Sequence, residues 1–178
     1  MSYKKAQVWI ETVIYTLIGL TVIAIVLTSA LPQIEKAKDK QVITQTVESL
    51  AMLDSKISET RDGPNNVRKF QLKISKGRIE IDPVNDLIIY KMENTKLKFS
   101  EPGEIVREND LITAETQKSG GKFNVILVAN YSKEIDITYN GEEEVGIIQP
   151  GTSIYQITMT NRGYTAGTNM YNVDFTLS

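Results

Sequence analysis

The sequence predicts an α+β protein, with a long N-terminal helix followed by an antiparallel β-sandwich or small-barrel head. Three observations lead to this fold class. Residues 8–31 form an almost continuous apolar run. From Pro32 to about Arg61, apolar side chains recur at helical spacing with polar residues between them. Beyond Pro64 the apolar period falls to two, which is typical of half-buried strands.

The apolar run, VWIETVIYTLIGLTVIAIVLTSAL, covers 24 residues and contains one charge. A helix needs about 20 such residues to cross a bilayer. Lys4 and Lys5 precede the run, which favours a cytoplasmic N-terminus and an extracellular head. A cleavable secretory signal is the alternative, because the small residues Thr28-Ser29-Ala30 lie at the far end of the run. The run is, however, longer than the roughly 7–15 apolar residues of such a signal.

The amphipathic segment begins at Pro32, which lacks a backbone donor and is expected to bend the helix without breaking it. Gly63 and Pro64 then end the helix and start a turn. The apolar stripe between these points is expected to pack on the head, whereas the apolar run must be buried in something else. The stripe consists of Ile34, Ala37, Ile43, Val47, Leu50, Leu53 and Ile57.

Short alternating segments follow, and turn residues separate them. Because no helical pattern lies between the segments, an antiparallel arrangement is expected. The predicted turns include Ser119-Gly120-Gly121, Asn140-Gly141 and Asn161-Arg162-Gly163. The predicted strands are Lys69–Ile74, Arg78–Asp82, Leu87–Met92, Lys96–Phe99, Leu111–Glu115, Phe123–Ala129, Ile135–Tyr139, Val145–Ile148, Ile154–Thr160 and Tyr171–Leu177.

Composition argues against several classes of function. The net charge of −2 and the lack of a basic stripe speak against a nucleic-acid partner. The chain has no cysteine and no histidine, so thiolate chemistry and the commonest general base are missing. Asp82, Asp86 and Asp110 lack the spacing of a calcium-binding loop, and Glu142-Glu143-Glu144 resembles a solvated turn. We therefore expect no enzyme activity, no catalytic residue, no cofactor and no metal site.

The N-terminal residues Lys4-Lys5-Ala6-Gln7-Val8-Trp9-Ile10-Glu11 resemble the class III signal peptide of archaeal type IV pilin-like proteins. Gln7 matches the first mature position of that motif, and Glu11 matches the fifth. Trp9 and Tyr15 stand where the family usually has serine and leucine. The resemblance implies that a membrane-embedded prepilin peptidase cuts the chain between Ala6 and Gln7.

The resemblance also implies a lollipop-shaped pilin architecture with four segments. These are a leader (1–6), a transmembrane and filament-core helix (7–31), an amphipathic continuation (32–61) and an extracellular β-rich head (64–178). The implied function is that of a structural subunit in an adhesive or motility filament on the cell surface. The membrane-inserted precursor would meet the prepilin peptidase and the assembly machinery, and then polymerise with other copies of itself in a helical filament.

Glu11 is the one charge of the apolar run, and a carboxylate at the centre of a membrane costs at least about 2.5–3.5 kcal/mol. The family resemblance implies that Glu11 pairs with the new N-terminal ammonium of Gln7, within or between subunits. The alternative is that Glu11 reaches water at the cytoplasmic edge of the membrane. A membrane-anchored monomeric binding protein with a β-sandwich head needs no such pair, and an accessory pilin of a secretion or assembly machine is a further alternative.

Asn130-Tyr131-Ser132 is an Asn-x-Ser triplet, which makes Asn130 a candidate N-glycosylation acceptor on an extracellular head.

Overall fold

The computed structural model describes the backbone of residues 2–165 and 169–178, and the side chains from Val8 onward within those ranges. One helix, α1 (Ser2–Thr60), contains Pro32 and is followed by strands only. The predicted α+β layout, a long N-terminal helix followed by a β-rich domain, is confirmed. The strands are β1 (Val67–Leu72), β2 (Arg78–Asp82), β3 (Leu87–Thr95), β4 (Ile105–Arg107), β5 (Ile112–Ser119), β6 (Lys122–Asn130), β7 (Ile135–Tyr139), β8 (Gly146–Ile148), β9 (Tyr155–Thr165) and β10 (Met170–Leu177).

The chain divides into two compact units, residues 1–38 and residues 39–178. The first unit is the N-terminal part of α1. Its threonine hydroxyls donate to carbonyl oxygens one turn back, as Thr12 does to Val8 at 2.9 Å and Thr16 to Thr12 at 2.8 Å. These bonds satisfy the hydroxyl groups locally, so threonine is compatible with an apolar surrounding.

The second unit, called the head here, contains two sheets and the C-terminal part of α1. The strand order is β1-β9-β10-β7 in the four-stranded sheet and β4-β5-β6-β3-β2-β8 in the six-stranded sheet. Both sheets contribute to one core, as shown by Phe175 of β10 and Leu127 of β6, which are fully buried. The helix adds a buried row that consists of Ile43, Leu50, Leu53 and Ile57.

The helix contributes buried side chains to the head from Asp39 onward. Asp39 accepts hydrogen bonds from the Lys76 ammonium and the Thr95 hydroxyl. A buried carboxylate is tolerated when it is paired and hydrogen-bonded in this way. The stripe prediction is therefore confirmed from Ile43 onward, whereas Ile34 and Ala37 belong to the first unit and their packing on the head stays a prediction.

The C-terminal end of α1 is held by side chains of the head. The last carbonyl groups of a helix have no partner within the helix. Asn161 Nδ2 donates to the Thr60 oxygen at 3.2 Å and to the Gly63 oxygen at 3.0 Å, and Asn66 Nδ2 donates to the Glu59 oxygen at 2.8 Å. These bonds attach the helix end to β9 and β1.

One predicted strand and one predicted turn are wrong. Residues 96–99 lie outside the strands, because Asn94 adopts a φ of 57° and the β3 register shifts after Met92. The Leu97 amide then donates to the Thr95 hydroxyl instead of a neighbouring strand. The unpredicted strand β4 follows, and all its side chains are exposed, so it lacks an alternating pattern. Residues 161–163 lie inside β9, where Gly163 has a φ of 112° beside an irregular register with β10.

The expectation of a purely antiparallel arrangement is wrong at one strand pair. Strand β10 pairs parallel with β7, with Tyr171 opposite Ile135 and Phe175 opposite Tyr139. All other strand pairs described between Val67 and Leu177 are antiparallel. The parallel pair is possible because a long stretch that includes β8 and β9 connects the two strands.

The head is expected to fold without the apolar run. A chain that starts at Pro32 loses the apolar side chains of residues 8–31 but keeps the buried row from Ile43 to Ile57. Size-exclusion chromatography should show a soluble monomer, and circular dichroism should show β-structure with some helix. Aggregation of every variant that starts between Pro32 and Lys38 would contradict this expectation.

Candidate assembly helix and head cleft

The N-terminal part of α1 exposes an apolar surface on all sides. Every large apolar side chain from Val8 to Leu31 is at least 40% exposed, the lowest value being that of Val13. Burying one such side chain is worth roughly 1.5–3 kcal/mol relative to leaving it in water. The helix rises about 1.5 Å per residue, so this surface is about 36 Å long and exceeds the roughly 30 Å of a bilayer's hydrocarbon core. The segment is apolar and long enough to cross a membrane.

Glu11 lies within this surface, one helical turn after Gln7. Residues four apart lie on the same face of a helix, so the backbone geometry places a mature N-terminus at Gln7 on the Glu11 face. The predicted cleavage site, Ala6 and Gln7, lies within α1, but its side chains are outside the described part of the chain. Cleavage between Ala6 and Gln7 and the pairing of Gln7 with Glu11 therefore stay predictions.

The head contains an open polar cleft of about 470 Å³, which is called the head cleft below. Its volume is within the usual 300–1,000 Å³ of small-molecule sites. Four segments of the chain line it: α1, the β4–β5 region, the end of β6 and the loop after β6. The lining residues are Asp54, Ser58, Arg107, Asp110, Leu111, Thr113, Asn130, Lys133 and Glu134.

The electrostatics of the head cleft depend on Asp54 and its neighbours. Burial, followed by the negative charge of Glu134, raises the pKa of the Asp54 carboxyl above its usual range. The buried Tyr131 hydroxyl is close enough to Asp54 for each group to influence the pKa of the other. That hydroxyl nevertheless has no hydrogen-bond partner in the part of the chain that the structure describes.

Asn130 ends β6 at the rim of the cleft and is exposed. Its Oδ1 accepts from the Ser132 amide at 3.0 Å and from the Ser132 hydroxyl at 2.7 Å. The side chain of Tyr131, between them, points into the core and is 1% exposed. Such an Asx-turn fixes the conformation of the asparagine side chain.

The aspartates weighed as calcium ligands do not come together. Asp86 Oδ1 accepts from the Ile137 amide at 2.8 Å, Asp82 accepts from Asn85, and Asp110 lines the head cleft. Among residues 8–165 and 169–178 no group of three or more acidic side chains is arranged to hold a metal ion. Glu142, Glu143 and Glu144 are exposed.

The sequence predicts sites at Glu11 and Asn130, which stay predictions, and it gives no indication of the head cleft. The cleft forms where four distant segments meet, and none of them carries a local motif for a pocket. No protein-family model, curated protein or solved structure matches this chain, so its function is inferred from its own geometry.

Proposed function

We propose that this protein is a structural subunit of a type IV pilus-like filament of archaeal type, polymerised through the N-terminal part of α1. The observation that carries the proposal is the apolar surface from Val8 to Leu31, which the chain leaves exposed on every side. A membrane covers this surface before assembly, and the equivalent helices of other copies cover it afterwards. The head then lies on the outside of the filament, for adhesion or motility.

Glu11 favours a filament over a plain membrane anchor. A carboxylate in an apolar span lowers the stability of an anchor and brings it no benefit. In a filament the same carboxylate pairs with the ammonium group that cleavage creates at Gln7, in the same subunit or in a neighbouring one. When two opposite charges are buried together, their attraction offsets part of the free energy that each loses on leaving water. Because the two groups must be in contact for this, a pair between subunits also fixes the axial position of one helix against the next.

Lys4 and Lys5 support the orientation that this function requires. Basic residues next to a span favour the cytoplasmic side, so the head is translocated. Residues 1–6 are then removed by a prepilin peptidase at the membrane, which leaves the apolar helix attached to the mature chain. Secretory signal cleavage after Ala30 would remove it.

A second candidate function is that of a membrane-anchored monomeric surface protein that binds a ligand. The head cleft, with its volume of about 470 Å³ and charged lining, favours this candidate. It requires neither removal of residues 1–6 nor a carboxylate at Glu11.

Processing provides the direct test. We expect the mature chain to begin at Gln7, because Lys4-Lys5-Ala6 directly precedes Gln7 and the apolar run that follows it. Filaments sheared from the cell surface should yield this protein as a main component, and N-terminal sequencing should start at Gln7. A start after Ala30, or an intact Met1 in surface material, would exclude prepilin processing.

A further inference from the structure

In the turn after β6, only one of the two polar side-chain atoms of Asn130 takes part in hydrogen bonds within the described residues. Oδ1 accepts two hydrogen bonds from Ser132, whereas Nδ2 has no acceptor within hydrogen-bond distance in the described part of the chain. The Tyr131 amide donates to the Asp86 oxygen at 2.9 Å, and the Tyr131 oxygen accepts from the Glu134 amide at 2.8 Å. The turn is therefore held in place while the Asn130 amide nitrogen remains accessible.

Asn130 also begins the only Asn-x-Ser or Asn-x-Thr triplet of the sequence whose middle residue is not proline. N-glycosylation would form a bond between Nδ2 and the anomeric carbon of a lipid-phosphate-activated sugar. The bond between that carbon and the phosphate oxygen breaks, the lipid phosphate leaves with its electron pair, and the proton that Nδ2 loses passes to the leaving phosphate. Oδ1 keeps both of its hydrogen bonds, so the modification costs the turn no contact.

Asn130 is itself one of the residues that line the head cleft. We propose that Asn130 carries an N-linked glycan and that the first sugar of this glycan lies in the head cleft. The proposal rests on the function proposed above in one respect, namely that the head is outside the cytoplasm.

The lining of the cleft matches the chemistry of a sugar. Hydroxyl groups of a sugar both donate and accept, and the cleft offers carboxylates as acceptors beside Arg107 and Lys133 as donors. Charges of both signs are mixed, so the cleft selects neither a strongly anionic nor a strongly cationic ligand. Leu111 provides an apolar contact for the C–H face of a sugar ring. The volume of about 470 Å³ accommodates a small saccharide.

Attachment is tested on the full chain, isolated from native membranes and separately from surface material. Trypsin releases Asn130 on the peptide Phe123–Lys133. We expect this peptide to carry additional mass that fragments as a saccharide. Ser132→Ala and Asn130→Gln should abolish the additional mass, whereas Ser132→Thr, which preserves the triplet, should retain it. Protease added to intact cells tests separately whether the head is outside the cell. If the head is accessible to this protease and the Phe123–Lys133 peptide is nevertheless unmodified, the proposal is overturned.

The position of the sugar is tested by amine labelling. Lys133 lines the cleft, and Lys118 is an exposed lysine at the end of β5, outside it. In the glycosylated chain Lys133 should be labelled several-fold more slowly than in Asn130→Gln, while the rate at Lys118 stays unchanged. Equal rates at Lys133 in the two proteins would place the sugar in solvent and overturn its location in the cleft.

The two proposals fail in distinguishable ways. A glycosylated Asn130 peptide in membranes without surface filaments contradicts the filament function alone. Filaments that contain an unmodified peptide contradict the glycan alone. A head that is protected from protease on intact cells contradicts both proposals.

Discussion

Glu11→Ala is expected to abolish surface filaments while full-length subunit still accumulates in the membrane. In the proposed filament, the substitution leaves the ammonium of Gln7 without its counter-charge among packed helices. Breaking one side of a buried ion pair typically costs about 3–5 kcal/mol. Even the low end lowers the association constant of each subunit by about two orders of magnitude. The measurement is the ratio of sheared filament protein to membrane-fraction subunit in wild type and variant.

Glu35→Ala is the matched control, because it removes a carboxylate from an exposed position of the same helix outside the apolar run. This variant should assemble like the wild type. In a plain anchor, Glu11→Ala would leave insertion unchanged or improve it, because the span becomes more apolar. Normal filaments from Glu11→Ala would refute the pairing role and favour the anchored binding protein.

Leu53→Ala is expected to cause a large loss of stability in the head. Leu53 is 2% exposed, in the row through which α1 contributes to the core. Truncating a buried leucine to alanine costs about 2–5 kcal/mol, because apolar contacts are lost and a cavity remains. The midpoint of urea unfolding should fall by about 1–2 M for a typical slope. The measurement uses the protein that starts at Pro32, followed by circular dichroism.

Met52→Ala provides the comparison for this substitution. Met52 is the preceding residue on the same helix and is 61% exposed. A substitution at such a surface position usually changes stability by no more than about 0.5 kcal/mol. Similar midpoints for Leu53→Ala and Met52→Ala would show that the helix row contributes little to the core of the head.

The helix and most strands could be predicted because each has a local signal. The apolar run and the row from Ile43 to Ile57 follow the helical period, and segments such as Arg78–Asp82 alternate visibly. Strand β4 could not be predicted, because its three side chains are all exposed and show no alternation. Asn161-Arg162-Gly163 has the composition of a turn, yet its residues pair with β10 and with the chain after α1.

The candidate sites also differ in whether a local sequence signal predicts them. Glu11 is visible in the sequence because a single charge interrupts an apolar run, and Asn130 is visible because of a three-residue motif. The head cleft depends on contacts between residues that are distant in sequence, such as Asp54 and Lys133. The parallel pairing of β7 and β10 is equally non-local, since strand composition does not specify direction.

The strand order of the head has a consequence for the sequence of events during folding. All strands of the six-stranded sheet lie between Arg78 and Ile148, a stretch that also contains β7 of the other sheet. In the other sheet, β1 pairs with β9, which is the most distant partner in sequence among the described strand pairs and therefore carries the largest loop-closure entropy. Strand β7 pairs only with β10, the last strand of the chain. Until β10 has been synthesised, Ile135 and Ile137 of β7 lack their partner strand. An incomplete head therefore presents an unpaired apolar strand that is prone to aggregation, whereas the completed head buries both side chains.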